Sequence, residues 1–280
     1  MGTPRASAHE SELRSVSATI NYTRPIAARL RIDVRDFSRT NMQFEPHVVQ
    51  IRDARGIQQR LSLDREGFAL VPHESAVAVS RDLELLGRDY HAEMIELVKT
   101  LIGARDVLPQ RTGLLLRFGE RSQERGVKPA RFAHLDYTTP WAHRFVALVA
   151  DWERFEPKPY RRFAIYQTWR ATSEPPQDNT LALCDGRSVQ SAETMEFDVT
   201  IGPEDVAGNR FVARACRYSD AHRWHYFSNL TRDEVIVFKA FDSAAPDALN
   251  VAHTAFDHPS APPSAVPRSS IEARLVAFFD

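Results

Sequence analysis

The strongest hydrophobic pattern in the chain lies between Asp82 and Ile102. Leu83, Leu85, Leu86, Tyr90, Met94, Ile95, Leu97, Val98, Leu101 and Ile102 recur at helical spacing, which predicts an amphipathic, core-packing helix with Ser80 as its N-cap. Elsewhere the apolar runs are short, rich in β-branched and aromatic residues, and bounded by turn residues. Ahead of the helix they are Ala18–Tyr22, Leu30–Asp33, His47–Ile51 and Gly67–Val71, which read as an N-terminal antiparallel layer. Behind it Leu114–Phe118 reads as a strand, and then the character is β: Arg131–Asp136, Arg161–Thr168, Leu181–Asp185, Phe211–Arg217, Trp224–Phe227, Glu234–Phe241, His253–Phe256 and Ile271–Phe279. Val146–Trp152 is expected to be helical, Tyr137–Pro140 a turn, and Asp257–Pro267 a loop.

Several strands at this spacing predict a mainly β protein with flanking helices, built as a sandwich or jelly roll. No internal repeat or linker divides it. The expected organisation is a disordered tail over 1–17 and a single domain over 18–280, with an N-terminal α/β extension at 18–110 and a β core from about 111 to 280.

Composition narrows the partners. Lys+Arg 36 against Asp+Glu 37 gives a net charge of −1, without the basic footprint of a nucleic-acid binder. The two cysteines, Cys184 and Cys216, form no CxxC motif and no disulfide framework, so a reducing compartment is expected. No apolar stretch reaches the roughly 18 residues of a membrane span, and the first 20 residues lack an apolar signal core. The reading is a cytoplasmic protein with a small-molecule partner and neither a nucleic-acid nor a membrane partner. Nothing in the sequence fixes an oligomeric state.

The candidate chemistry begins at His134-Leu135-Asp136. An H-x-D pair on an extended strand puts an imidazole and a carboxylate on one face. A distant histidine would complete a 2-His-1-carboxylate set, which suits non-haem Fe(II) and leaves positions open for a co-substrate and O₂. His222, His225, His253 and His258 are the choices. Only His253, which opens a β-like segment and is followed after 15 residues by Arg268 and then Ser270, supplies the complete order H-x-D, long gap, H, short gap, R-x-S. The arginine and hydroxyl could clamp the far carboxylate of a 2-oxoacid, so His253 is favoured over His222. Arg274 is the rival clamp, because Arg268, Ser270, Glu272 and Arg274 share one face of a regular strand; its alternative is an ion pair with Glu272 or another buried acid.

The blocks between these residues carry a resemblance. Ala133-His134-Leu135-Asp136-Tyr137-Thr138, Tyr166-Gln167-Thr168-Trp169-Arg170, Leu181 to Asp185, His222 to Phe227, Asp233 to Lys239, Ala252 to Phe256 and Pro267 to Arg274 occur in order. The set resembles the CmcJ/NvfI family of Fe(II)/2-oxoglutarate-dependent oxygenases of bacterial and fungal secondary metabolism, over roughly residues 110 to 280. Gln167 departs from it, standing where asparagine is expected, and Ser269 stands where a longer polar residue is expected. The resemblance implies a double-stranded β-helix (jelly-roll, cupin-like) core. It also implies His134, Asp136 and His253 on Fe(II), and 2-oxoglutarate held by Arg268 and Ser270. Trp169 and Arg170 would line the pocket. Tyr137 and Trp224 are candidate substrate contacts, and Lys239 is expected to snorkel from a strand edge.

The function expected is hydroxylation or desaturation of a small molecule with Fe(II), 2-oxoglutarate and O₂. The alternatives are a metal-free or redox-silent jelly-roll binding protein and a cupin-like hydrolase or isomerase. A methyltransferase is disfavoured, because Gly202 and Gly208 stand alone and no glycine-rich strand-to-helix loop exists.

Overall fold

In the computed structural model, which describes residues 13–110, 113–124, 127–203 and 205–280, two sheets face each other across the core. The larger sheet runs in the order β1 (Ser15–Thr23), β3 (Phe44–Asp53), β12 (Trp224–Tyr226), β9 (Asn179–Cys184), β14 (His253–Asp257), β7 (His134–Leu135), β11 (Arg210–Cys216), β10 (Thr194–Thr200) and β2 (Leu30–Asp33). The smaller runs β4 (Phe68–Pro72), β13 (Glu234–Asp242), β8 (Arg162–Ala171), β15 (Ser269–Phe279) and β5 (Asp106–Pro109), with β6 (Leu115–Phe118) paired to β15. This is a jelly-roll fold.

The strands before residue 110 do not form a layer of their own. β1 and β3 pair antiparallel at one edge of the large sheet, β2 runs parallel to β10 at the other edge, and β4 joins β13 in the second sheet. Strand periodicity gives the face a side chain uses but not the partner of the strand, which is why the sequence suggested a separate layer. Ser15–Ser17, read as part of the tail, lie within β1; residues 1–12 lie outside the described residues.

The predicted helix exists but is not uniform. One α turn, α1 (Leu83–Leu85), passes into a π segment (Leu86–Tyr90) and then α2 (His91–Ile102). Its N-cap is Asp82, whose carboxylate accepts from the Glu84 and Leu85 amides; Ser80 sits one step back, its hydroxyl accepting from the Asp82 amide. Gly103 ends α2 at φ 62°, a left-handed conformation glycine adopts without strain. Leu86, Tyr90, Met94 and Val98 pack on Ala164, Tyr166, Ile271, Ala273 and Leu275, the outward face of the small sheet.

The second helix begins earlier than expected. α3 spans Thr139–Trp152, because Thr138 caps it through the Trp141 amide and Pro140 sits in its first turn, where no amide hydrogen is needed. Tyr137–Pro140 is therefore a helix entry. The strand before it is also shorter than Arg131–Asp136: the Ala133 amide donates to the Asn21 carbonyl, and only His134 and Leu135 form β7. β5 and β10 were absent from the expected strands, although Thr194–Thr200 does alternate polar and apolar residues. No helix among the described residues is long and apolar enough to cross a membrane.

Candidate metal centre and co-substrate cleft

Strand pairing creates the centre. His253 of β14 lies directly opposite His134 of β7, and the two rings sit 4.3 Å apart. Asp136, one residue past the end of β7, turns its Oδ1 to within 3.5 Å of His134 Nε2. Ligand atoms of His134, Asp136 and His253 all lie within 4.8 Å of one another, the single such group of three or more found among the described residues.

The donor set fits a divalent metal. His134 Nδ1 is 2.8 Å from the Phe132 carbonyl and His253 Nδ1 is 3.2 Å from the Val251 carbonyl. Each carbonyl fixes a proton on Nδ1, so that both Nε2 lone pairs are free. Burial, with His134 adding to it, pushes the His253 pKa down to about 4, so its imidazole is neutral at physiological pH. Burial alone would raise the Asp136 pKa, yet Arg274 and the two imidazoles outweigh it and hold the carboxyl well below the usual carboxylate range. A neutral imidazole at His253 and an ionised carboxyl at Asp136 are protonation states that bind metal.

Beside the triad opens a small cleft whose lining includes His134 and His253 together with Arg268, Arg117 and Glu272. Trp169, Leu181 and Phe238 form its apolar walls. Arg268 is 2 % exposed. Its guanidinium stands 4.9 Å from the centre of the Trp169 ring, donates to Ser270 Oγ at 3.1 Å and lies 3.6 Å from Glu272 Oε1. Glu272 is in turn 2.7 Å from Arg117 Nε. Burial lowers the Arg268 pKa to about 10, which leaves the guanidinium charged at neutral pH. Burial pushes Glu272 upward, but Arg117 and Arg268 reverse the shift and keep it ionised.

The other candidates lie elsewhere. His222 stacks on Tyr22, with Nδ1 3.2 Å from the Tyr22 hydroxyl and Nε2 3.3 Å from Glu193, outside the triad. Arg274 reaches Asp136 at 3.6 Å, so the acid it pairs with is Asp136 of the candidate triad rather than Glu272. Arg170 follows Trp169 on β8 and so faces the opposite side of the sheet, where it is buried against Tyr90 and donates to the His73 and Arg232 carbonyls. Trp224 is a core residue whose indole N–H donates to the Tyr22 hydroxyl at 2.7 Å. Tyr137 packs on Phe145 beneath α3. Of the three expected substrate contacts only Trp169 lines the cleft. Lys239 is 2 % exposed on an interior strand, 3.2 Å from the buried Asp242 and 3.2 Å from the exposed Asp64, so it is not the edge residue expected.

Arg117 and Phe238 were missed. Arg117 pairs with Ser270 in the β6–β15 register, a relation that no local motif reveals. Gln167, the departure noted in the sequence, donates its side-chain amide to Asp136 Oδ2.

Fold and site together define a jelly-roll protein with a His/Asp/His constellation suited to a divalent metal, facing a cleft anchored by a buried arginine. The chain belongs to the oxidoreductase family described as the Oxidoreductase/YMDC permease-like domain, whose model matches residues 17–278. It is 29% identical over 260 residues to the hydroxylase/desaturase CTB9 of Cercospora beticola, covering 85% of this chain and 78% of that protein. It is likewise 29% identical over 264 residues to the Fe(II)/2-oxoglutarate-dependent dioxygenase nvfI of Aspergillus novofumigatus, covering 86% of each. A solved structure of the iron and alpha-ketoglutarate-dependent endoperoxidase NvfI superposes with a TM-score of 0.80 at 25% identity, over 94% of this chain and 97% of that one.

Proposed function

We propose that the protein is a non-haem Fe(II)/2-oxoglutarate-dependent oxygenase that hydroxylates or desaturates a small organic substrate in secondary metabolism, and that it works in the cytoplasm. The observation that carries the reading is one cleft lined by both His134 and His253 of the His134–Asp136–His253 set and by the buried Arg268. A dicarboxylate co-substrate requires both a metal face and a fixed cation at a distance from it. The relatives named as Fe(II)/2-oxoglutarate-dependent support the same assignment.

In this reading His134 Nε2, an oxygen of Asp136 and His253 Nε2 hold Fe(II). Fe(II) bound with 2-oxoglutarate and O₂ supplies an oxidant able to attack an unactivated C–H bond, with succinate and CO₂ as co-products. Arg268 binds the far carboxylate of 2-oxoglutarate, and Ser270 Oγ orients the guanidinium and offers a second hydrogen bond. Trp169 fixes the plane of Arg268 by stacking. Arg117 neutralises Glu272, so the clamp keeps a net positive field for the incoming anion. Leu181 and Phe238 keep water from the reacting end and give a hydrophobic substrate its contact surface. The Trp169 indole N–H, buried without a hydrogen-bond partner among the described residues, is a donor available to a ligand in the cleft.

Anaerobic titration of the protein with Fe(II) and then 2-oxoglutarate tests the reading. A weak visible charge-transfer band that needs both components is expected. A protein that binds small molecules without developing the band is a redox-silent binder, and the proposal fails.

A further inference from the structure

The two carboxylate oxygens of Asp136 meet different neighbours. Oδ1 faces His134 Nε2 at 3.5 Å, whereas Oδ2 accepts from the Gln167 side-chain amide and lies 3.6 Å from Arg274 Nη2. Gln167 and Arg274 are directly opposite each other in the β8–β15 register, and both project into the space between the sheets. Gln167 is 2 % exposed. Among the described residues, Asp136 is the one side-chain hydrogen-bond or ion-pair partner of either. Two donors on adjacent strands, the buried Gln167 and the partly buried Arg274, therefore converge on a single oxygen.

We infer that Gln167 and Arg274 are positioning residues that reserve Oδ2 of Asp136, so that the carboxylate offers Oδ1 alone to a metal. The inference rests on the metal-site reading above and deepens it. A buried carboxylate oxygen that already accepts an amide and a charge-assisted contact cannot join a metal without leaving both donors unsatisfied. One-oxygen ligation matters because three single-atom protein ligands leave three positions of an octahedral ion open, whereas a chelating carboxylate leaves two. Three is the number that a two-point-binding co-substrate and O₂ require together. The departure at Gln167 acquires a role on this account: its side chain spans the gap between β8 and the carboxylate just beyond β7, and it carries the donor that closes the contact.

The experiment uses Mn(II) as the probe, bound anaerobically without co-substrate, and reads the water-proton relaxivity per bound ion. In Gln167→Met the freed Oδ2 is expected to take a position otherwise filled by water, and the relaxivity falls by about a third, from three bound waters to two. Arg274→Met, made independently, moves it the same way and covers the case in which Gln167→Met fails to fold. Relaxivity equal to wild type in both folded variants overturns the inference, as does a lowered metal-free Tm with unchanged relaxivity, the sign of a purely structural contact. His134→Ala serves as the control. If that variant still binds Mn(II) normally, the metal-site reading itself fails. If it loses Mn(II) while the Gln167 and Arg274 variants behave as wild type, only the positioning role does.

Discussion

His253 stands directly across the β14–β7 register from His134, and the two imidazoles are brought to 4.3 Å by strand pairing rather than by a loop. Removing either ring should therefore abolish metal binding without disturbing the pairing that placed it. His134→Ala is expected to lose Fe(II) binding and succinate formation together, measured by anaerobic metal titration and by succinate assay. His222→Ala should retain both, because that ring belongs to the Tyr22–Glu193 cluster. Metal binding lost in His222→Ala and kept in His253→Ala would reverse the assignment.

Arg268 and Arg170 are both fully buried, yet they face different spaces. Truncating a buried, hydrogen-bonded partner of a charged ligand costs about 2–5 kcal/mol, thirtyfold or more in affinity. Arg268→Met is thus expected to raise the KM for 2-oxoglutarate by at least about thirtyfold with Fe(II) affinity unchanged. Arg170→Met should leave that KM alone and lower the Tm, since it deprives the His73 and Arg232 carbonyls and the Tyr90 hydroxyl of their donor. Steady-state kinetics and thermal melts on the two variants separate the roles.

Trp224 offers a contrast between core and site. Its indole is buried against Tyr22, Ile51 and Phe256 and gives the Tyr22 hydroxyl a hydrogen bond. Trp224→Phe should lose about 1–3 kcal/mol of stability from the missing ring volume and bond. Substrate affinity should stay within twofold of wild type. Urea unfolding and KM determination give the two numbers; a large KM effect at full stability would return Trp224 to the substrate site.

The pH dependence of stability should carry the mark of His225. Burial pushes its pKa from 6.5 down to about 4, and its Nε2 is buried with no hydrogen-bond partner among the described residues. The unfolded chain takes up a proton near 6.5 while the folded chain refuses it until about 4, so the stability present above pH 6.5 drains away as the pH falls through this interval. The loss from this one group is about 3 kcal/mol. His225→Phe, close in shape and unable to titrate, should flatten the slope between pH 7 and pH 5 by roughly one proton. Urea melts at a series of pH values measure it, and an unaltered slope would assign the acid sensitivity to other groups.

The legible parts of the site were those fixed by parity and order along single strands. The alternation of Arg268, Ser270, Glu272 and Arg274 could be read directly: β15 turns Ser270, Glu272 and Arg274 inward, and Arg268, just ahead of it, lines the same cleft as Glu272. Parity also decides that Trp169 and Arg170 cannot share a pocket, a consequence that the sequence contained but that a motif read as a unit concealed. What stayed hidden depends on which strand lies beside which. The Arg117–Glu272 pair and the Arg274–Asp136 contact are set by register between elements 155 and 138 positions apart in the chain. The length of β7 was misjudged for a related reason: Ala133 spends its amide on Asn21, far upstream, and no local pattern announces that.

β15 lends one face to the cleft and the other to the helix layer. A substitution on either face alters one residue of one face. A single inserted or deleted residue would exchange the two sets at a stroke, turning Ile271, Ala273 and Leu275 toward the cleft and the arginines toward α2. Length changes during divergence should therefore gather in the loops flanking the site, such as residues 243–252 and 258–266, leaving the strand's length fixed while the chemistry beside it drifts. New substrates would be won at the loops and never by sliding the strand.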